Sequence, residues 1–324
     1  MGGAVRVGMI GVGHWHAEMH ATAARANGAS ISAVWDPDFT VATRFAEALG
    51  LTAVRSHGEV IAGADLVVVM GRPDLVPELA EAAIAAGRPM VLEKPAAIHT
   101  DALAALSTMA AGHFVAVPLP NRLGPAMAEY HRLAGAGRAG PIAHAHFRLV
   151  NGPPQRYPDD GVPWMLDPAI SGGGALRNLG IHGVDCALSL ATGELQLVSA
   201  RVRNRIHSSP VEDYALLVLE DEAGAVFTVE AGYTFASMQP GGDFEWRIAT
   251  ANAYLVDHGE TAFAATLDDA GRRMLLPLPP SVRYTRFMAD TLERLRGGKP
   301  PAVGLDDYVR AMRLIDQAYG TRTP

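Results

Sequence analysis

A polar seam interrupts an otherwise apolar stretch of the chain between residues 176 and 190. The seam consists of four residues at successive spacings of four, three and four: Asn178, His182, Asp185 and Ser189. This spacing places them on one face of a helix. Imidazole exchanges protons near neutral pH, and a neighbouring amide or carboxylate can hold a hydroxyl group by hydrogen bonds. The seam therefore predicts either a general base that lines a cleft or a hydrogen-bonded structural network.

A lysine stands in the sequence Leu92-Glu93-Lys94-Pro95, directly after a short apolar run. The run predicts a parallel strand, and a side chain just beyond the carboxyl end of such a strand points into the ligand crevice of the sheet. An ammonium group at that place would stabilise the negative charge that develops on an alkoxide.

Two glycines, Gly11 and Gly13, follow a predicted strand and precede a predicted helix. They let the backbone approach a pyrophosphate at the helix N-terminus, although the same pair also occurs in tight turns. His16 occupies the position of the third glycine of the dinucleotide-binding fingerprint. Asp36, about 20 residues further on, either accepts hydrogen bonds from the adenosine ribose or starts a turn with Pro37. Because a carboxylate there repels the extra phosphate of NADP, the sequence favours NAD.

Three histidines lie close together in the same segment: His14, His16 and His20. The last two are one helical turn apart and could ligate a metal. No group of carboxylates or cysteines in the sequence completes such a site, so no metal is expected.

The elements that position these residues follow two patterns. In the first 120 residues, short Val- and Ile-rich runs alternate with Ala-rich helical stretches, as in βαβ units. The strands predicted there are 5–10, 30–35, 66–70, 90–92 and 114–117. From about residue 142, longer alternating runs predict an antiparallel sheet. Its predicted strands are 142–150, 197–206, 214–220 and 226–233.

Bulk properties exclude several classes of protein. A length of 324 residues predicts about two domains, and a net charge of −7 without a long basic run excludes the footprint of a nucleic-acid binder. The longest apolar runs are far shorter than the ~20 residues of a membrane span, and the first residues lack a secretory pattern. The single cysteine, Cys186, fits a reducing compartment. We expect a soluble cytoplasmic protein with a small-molecule partner.

Three segments together make the sequence similar to a known family: the glycine turn in GVGHWH at 11–16, EKP at 93–95 and GGGALRNLGIHGVD at 172–185. The sequence resembles the Gfo/Idh/MocA family, which is named for glucose-fructose oxidoreductase, inositol dehydrogenase and a rhizopine catabolism protein. The resemblance extends over nearly the whole chain. It implies that Lys94 lies between nicotinamide and substrate and that His182 exchanges the proton of the reacting hydroxyl.

Two positions depart from the family's pattern. Asn178 stands where family members usually carry an aspartate, and Pro77 lies near the place where family members often carry a histidine. An asparagine can hold a hydroxyl, but it cannot raise the basicity of His182 as a carboxylate would.

The resulting fold class is α/β, with an N-terminal Rossmann doubly wound parallel sheet and a C-terminal α+β domain that has a large, mostly antiparallel open sheet. The expected segments are a dinucleotide-binding domain (1–120), a substrate-binding and oligomerisation domain (121–300) and a C-terminal helix that packs back on the first domain (301–324). The expected cofactor-binding residues are Gly11, Val12, Gly13, His14, Trp15, Asp36, Met70, Gly71, Arg72, Pro73, Glu93 and Lys94. The expected substrate-binding residues are Asn121, Arg122, Tyr157, Trp164, Asn178 and His182. The expected catalytic residues are Lys94, His182 and Asn178.

These expectations describe an oxidoreductase that uses NAD rather than NADP to move a hydride to or from a sugar, cyclitol or related polyol. Two alternatives stay open. Bound NAD could oxidise a sugar transiently so that a glycosidic bond is eliminated, or the site could have lost turnover and serve as a nicotinamide or metabolite sensor. Apolar side chains on one face of the second sheet (Val218, Val226 and Thr228) predict a homodimer or homotetramer.

Overall fold

The computed structural model describes residues 3–268 and 271–320. Its residues divide into two compact units. The first unit lies within Met1–Pro118, Tyr157–Gly172 and Tyr284–Arg310, and the second within Leu119–Arg156, Gly173–Arg283 and Ala311–Pro324. The segment boundaries expected from the sequence stay a prediction, and residues 321–324 of the expected last segment lie outside the described residues.

The first unit contains a five-stranded parallel sheet among its described residues, as predicted. Its strands are β1 (Arg6–Ile10), β2 (Ser30–Trp35), β3 (Leu66–Val69), β4 (Met90–Leu92) and β5 (Val115–Ala116). They lie in the order β2-β1-β3-β4-β5, and each pairs in parallel with its neighbours. The order reverses its direction between β1 and β3, and ligands of such sheets bind beyond the carboxyl ends of the strands at that point.

Helical segments, most of them Ala-rich, alternate with these short apolar strands and connect them. The connecting helices are α1 (Ala17–Ala26), α2 (Phe39–Leu49), α3 (His57–Gly63), α4 (Val76–Ala85) and α5 (Thr100–Met109). The carboxylate of Asp38 accepts the backbone N–H of Thr40 at 2.9 Å and so caps α2. Every residue of β3 is buried, as expected for a strand covered on both faces.

The second unit contains an eight-stranded sheet among its described residues. Its strands are β6 (Ile142–Asn151), β7 (Leu195–Arg203), β8 (Tyr214–Asp221), β9 (Val226–Gly232), β10 (Gly242–Thr250), β11 (Ala253–Asp257), β12 (Ala262–Thr266) and β13 (Arg272–Leu275). They lie in the order β13-β12-β11-β10-β6-β9-β8-β7. The β6–β9 pairing is parallel and the other pairings are antiparallel, which confirms the predicted mostly antiparallel sheet.

One strand ends earlier than the sequence predicts. The alternation continues to Ile206, but β7 ends at Arg203. Beyond this point the buried carboxylate of Asp213 accepts the backbone N–H groups of Arg205, Ile206 and His207 at 2.6–3.1 Å. These N–H groups are therefore turned away from the sheet, and the apolar Ile206 side chain is exposed.

The remaining helices are α6 (Pro125–Gly135), α7 (Arg156–Asp159), α8 (Pro168–Ser171), α9 (Ile181–Leu190), α10 (Pro280–Arg296) and α11 (Leu305–Gly320). A π-helical turn (Leu176–Gly180) leads into α9. Gly183 lets α9 approach the sheet closely, because an added Cβ would lie 2.8 Å from the side chain of Val229 and 3.0 Å from that of Phe147. No helix of the described residues is both long and apolar enough to cross a bilayer.

Candidate cofactor site and catalytic residues

The turn after β1 is tightly constrained at Gly11. Gly11 has a φ of +80°, and an added Cβ would overlap the carbonyl oxygen of Met70. Its N–H donates to the carbonyl oxygen of Trp35 at 2.7 Å. The turn is thus fixed between the ends of β2 and β3, and only glycine fits there.

Asp36 is held at the end of β2 by backbone groups. One carboxylate oxygen accepts the N–H of Gly13 at 2.8 Å, and the other accepts the N–H of Asp38 at 3.1 Å. Burial raises the pKa of Asp36, while these two hydrogen bonds act in the opposite direction. An added Cβ on Gly13 would lie 3.1 Å from the Asp36 carboxylate, so the second glycine leaves room for this acid.

His14, the next residue of the turn, is a buried donor with a defined tautomer. Its ring stacks on Trp15 with centroids 3.8 Å apart, and its Nδ1 accepts the backbone N–H of His16 at 3.1 Å. Burial lowers the pKa of His14 well below its usual value, so the neutral ring carries its proton on Nε2. Within residues 3–268 and 271–320, no hydrogen-bond partner reaches this Nε2. Buried donors are normally paired with protein, water or a ligand, so this Nε2–H is a candidate contact for a dinucleotide at the turn.

Three further residues of the expected cofactor set lie beyond the end of β3. Met70 is buried, Gly71 has a φ of +126°, and Arg72 pairs with Asp74 at 2.7 Å. Val12 is buried in the glycine turn, and Pro73 precedes Asp74.

Glu93 is the centre of a buried cluster beyond the end of β4. Its carboxylate accepts the backbone N–H of Lys94 at 2.9 Å, and it lies 2.6 Å from Nε2 of His20 and 3.3 Å from the hydroxyl of Tyr284. Nδ1 of His16 lies 3.4 Å from the Glu93 oxygen that accepts the Lys94 N–H. Burial alone would raise the pKa of Glu93, but the contacts with His16 and His20 hold it well below its usual value.

The cluster also engages His16 and His20, the two histidines that the sequence offers as possible metal ligands. Nε2 of His20 faces Glu93, and Nδ1 of His16 lies 2.8 Å from the hydroxyl of Tyr284. Each of these two histidines therefore has one ring nitrogen engaged by a neighbouring side chain. The described residues contain no group of three or more His, Cys, Asp or Glu side chains placed to hold a metal ion.

Lys94 is buried near the aromatic ring of Trp15. Only 2% of Lys94 is exposed, and burial lowers the pKa of its ammonium group to about 8, against the opposing effect of Glu93. Its Nζ lies 5.8 Å from the ring centroid of Trp15. The rings of Trp164 and Tyr157 lie 5.8 and 6.2 Å from that of Trp15. The first unit thus brings two of the expected substrate residues to the same aromatic ring as the expected catalytic lysine.

The second unit holds the polar seam. Asn178 lies in the π-helical turn and His182 in the first turn of α9, and both side chains are buried. The side-chain amide of Asn178 donates to the hydroxyl of Tyr233 at 3.2 Å. Further along the seam, Ser189 donates to the carbonyl oxygen of Cys186 at 2.7 Å. The seam therefore combines a buried imidazole with hydrogen bonds that fix its neighbours.

Two expected substrate residues make firm contacts inside the second unit. Arg122 binds the carboxylate of Asp185 through two hydrogen bonds, at 2.7 and 2.5 Å. The side-chain oxygen of Asn121 accepts from Arg283 at 3.0 Å. These bonds give both residues a structural role, and their contact with a substrate stays a prediction.

Sequence reasoning missed two tyrosines of these clusters. Tyr284 lies in α10, which was not expected, and Tyr233 directly follows the last residue of β9. Neither tyrosine belongs to a motif. The signal for Tyr233 is its place at the end of a predicted strand. Tyr284 is 191 residues from Glu93 in sequence, so no local pattern connects these two residues.

Comparison with known proteins agrees with this geometry. Residues 5–119 match the family model described as an oxidoreductase family with an NAD-binding Rossmann fold, and residues 127–256 match the GFO/IDH/MocA C-terminal domain. Inositol 2-dehydrogenase 2 of Saccharopolyspora erythraea is 30% identical over 247 residues, which cover 71% of this chain and 68% of that protein.

Solved structures share the fold. Levoglucosan dehydrogenase, in a complex with NADH and levoglucosan, matches with a TM-score of 0.86 at 20% identity, covering 98% of this chain and 97% of that one. An NAD-binding oxidoreductase from Klebsiella pneumoniae matches with a TM-score of 0.84 at 20% identity, covering 98% of each chain. The resemblance seen in the sequence is confirmed: the chain belongs to the GFO/IDH/MocA family and is an NAD-dependent oxidoreductase.

Proposed function

We propose that this protein is a dehydrogenase that moves a hydride between NAD and a hydroxyl-bearing carbon of a sugar, cyclitol or related polyol. The observation that carries the proposal is the buried ammonium group of Lys94 beside the ring of Trp15. Trp164 and Tyr157 extend this ring into an aromatic surface, and aromatic faces suit the C–H faces of carbohydrates. The similarity to an inositol 2-dehydrogenase supports the same substrate class.

The residues at the ends of the first three strands hold the cofactor in this proposal. The glycine turn lets the backbone approach the pyrophosphate, the Nε2–H of His14 offers a donor, and Asp36 offers a carboxylate to the ribose hydroxyls. Bound NAD supplies the acceptor or donor of the hydride.

Three side chains act on the substrate. Lys94, as an ammonium ion, stabilises the charge that develops on the hydroxyl oxygen when its proton leaves. His182 accepts that proton when the alcohol is oxidised and returns it in the reverse direction. Asn178 holds a substrate hydroxyl by a hydrogen bond, since an amide has both donor and acceptor atoms.

Two further expectations complete the proposal. The uncovered face of the eight-stranded sheet supports assembly into a homodimer or homotetramer. A cytoplasmic location is supported by the single, buried thiol of Cys186, which fits a reducing compartment.

The test is an absorbance assay of NAD reduction with a panel of cyclitols and sugars, including myo-inositol. Lys94→Ala should abolish turnover and leave NAD binding largely intact, because the charge is needed where the alkoxide develops. His182→Ala should lower turnover by roughly 10²- to 10⁴-fold, the usual contribution of a general base. Ser189→Ala, on the same seam, serves as the control and should match the parent.

The assay also separates the alternatives. Product release without net change in absorbance would favour the hydrolase or lyase with transient oxidation. Binding of a sugar without turnover, together with parent-like behaviour of all three variants, would favour a sensor.

A further inference from the structure

Glu93 and Lys94 are neighbouring ionisable residues that are both buried. Glu93 is 1% exposed and Lys94 is 2% exposed, and burial opposes ionisation of both groups. The role proposed above for Lys94 requires its ammonium form. Some feature of the protein must therefore offset the cost of burying that charge.

We propose that Glu93 is a positioning residue that keeps Lys94 in its ammonium form, and that His20, His16 and Tyr284 hold Glu93 as a carboxylate. The inference rests on the proposed role of Lys94, but it concerns the charge of this lysine, which can be measured without a substrate.

The bonds around Glu93 are those of an ionised carboxylate. An ionised carboxylate only accepts hydrogen bonds, so the contact of 2.6 Å places the proton of His20 on Nε2. Nδ1 of the same ring has no hydrogen-bond partner in the part of the chain that the structure describes, which agrees with a ring that donates through Nε2. The backbone N–H of Lys94 adds a second donor at 2.9 Å.

His16 and Tyr284 form a chain of hydrogen-bond donors that ends at Glu93. The hydroxyl of Tyr284 lies 2.8 Å from Nδ1 of His16 and 3.3 Å from Glu93. A hydroxyl has one proton, so both contacts are satisfied when Nδ1–H of His16 donates to the tyrosine oxygen and the tyrosine O–H donates to Glu93. Burial raises the pKa of Tyr284 well above its usual value, so this hydroxyl keeps its proton.

The charges that face this cluster come from three segments. The turn after β1 and the start of α1 contribute His14, His16 and His20, the segment after β4 contributes Glu93 and Lys94, and α10 contributes Tyr284. Burial lowers the pKa of His14 and of His16. Glu93 is the acidic side chain of this set, and its charge favours the ammonium form of Lys94.

The sequence offers a direct measurement. Lysine occurs only at positions 94 and 299, so a protein labelled with ¹³C at the lysine Cε gives one signal for each. The exposed Lys299 serves as the internal reference. In the parent, the Lys94 signal should titrate with a midpoint at about 8, and a midpoint below 7 would overturn the proposal.

Glu93→Gln keeps the shape of the side chain and removes its charge. We expect the Lys94 midpoint to fall by about one unit, because an adjacent opposite charge favours the ionised form. Glu93→Asp should restore most of the parent value. Asp65→Asn is the matched control: it removes a carboxylate that directly precedes β3, at the amino ends of the strands and so at the other end of the sheet from Lys94, and it should leave the midpoint unchanged.

A second route avoids any change at Glu93. The double variant His20→Phe/Tyr284→Phe removes two donors, so Glu93 should take up a proton and the Lys94 midpoint should again fall. Parent-like titration of Lys94 in Glu93→Gln or in the folded double variant would refute the proposal. If the parent reduces NAD with none of the tested sugars, the proposed function is refuted instead, and the result of the titration is unaffected.

Discussion

At the scale of single residues, we expect Asp36 to decide which cofactor is preferred. Its carboxylate is already oriented by the backbone N–H groups of Gly13 and Asp38. We expect NAD to bind more tightly than NADP, because the carboxylate repels a phosphate on the ribose. Asp36→Ala should weaken NAD binding by roughly 10- to 100-fold, since a hydrogen bond to a charged group contributes about 1.5 to 3 kcal/mol.

Calorimetry with both cofactors checks this prediction. Asp36→Asn is the control that keeps an acceptor for the Gly13 N–H and removes the charge. Its affinities for NAD and NADP should approach each other. Equal binding of the two cofactors by the parent would show that Asp36 only fixes the turn.

His14 provides a second residue-scale prediction. Its ring is 4% exposed and carries its proton on a nitrogen without a protein partner among the described residues. His14→Phe keeps a ring that stacks on Trp15 and loses the donor. We expect NAD to bind roughly 3- to 10-fold more weakly, the effect of one neutral hydrogen bond.

His14→Gln should recover part of that loss, because its amide can donate from a similar position. Quenching of tryptophan fluorescence by NADH gives the affinity of each variant. If His14→Phe binds NADH as tightly as the parent does, then Nε2 faces no cofactor atom and the buried donor needs another explanation.

At the scale of elements, the π-helical turn before α9 determines what Asn178 can do. Asn178 and His182 are four residues apart, and the Asn178 amide is anchored on Tyr233. Asn178→Asp would replace an amide donor by a carboxylate that accepts from the same hydroxyl. Because an anion favours the imidazolium form, the acid limb of the rate profile for alcohol oxidation should move to higher pH.

The measurement is the pH dependence of kcat/KM for the parent and the variant with one substrate. The double variant Tyr233→Phe/Asn178→Asp tests the contact between these two residues. Its new carboxylate lacks the tyrosine hydroxyl as a partner, so the shift of the acid limb should differ in size from that of Asn178→Asp alone. An unmoved acid limb would mean that position 178 does not influence the proton that limits turnover.

The elements also show how far the sequence predicts this structure. The five strands of the first sheet follow from buried Val- and Ile-rich runs, and the lysine after β4 lies where strand-end reasoning places it. In the second sheet, β10 was not predicted, although Phe244, Trp246 and Ile248 alternate with other residues along it. By contrast, β13 is largely exposed, and its sequence carries no alternation from which to predict a strand.

The partners within the site were harder to predict for a physical reason. His16 and His20 are recognisable as a pair from their spacing, but their partner Tyr284 is brought in by a distant helix. Ion pairs such as Arg122 with Asp185 likewise join residues 63 positions apart. Local periodicity determines elements, whereas these contacts depend on how the elements pack.

At the scale of the whole molecule, the last prediction concerns assembly. One face of the eight-stranded sheet is buried, with Leu217 opposite Val229 in neighbouring strands. On the other face, Val218 lies opposite Thr228, and His146 on the next strand contacts the Thr228 hydroxyl at 2.7 Å. These side chains are only partly buried in the single chain.

A half-buried face that mixes apolar and paired polar side chains is suited to contact with a second copy of the same sheet. We expect sedimentation velocity to show a dimer or tetramer, and Val218→Lys to shift it towards monomer, because the added charge would be buried at the contact. Met109→Lys places the same charge on an exposed apolar residue at the end of α5 and should leave the assembly intact. A parent that sediments as a monomer at every concentration would contradict this prediction. If both variants dissociate alike, the contact lies elsewhere on the molecule.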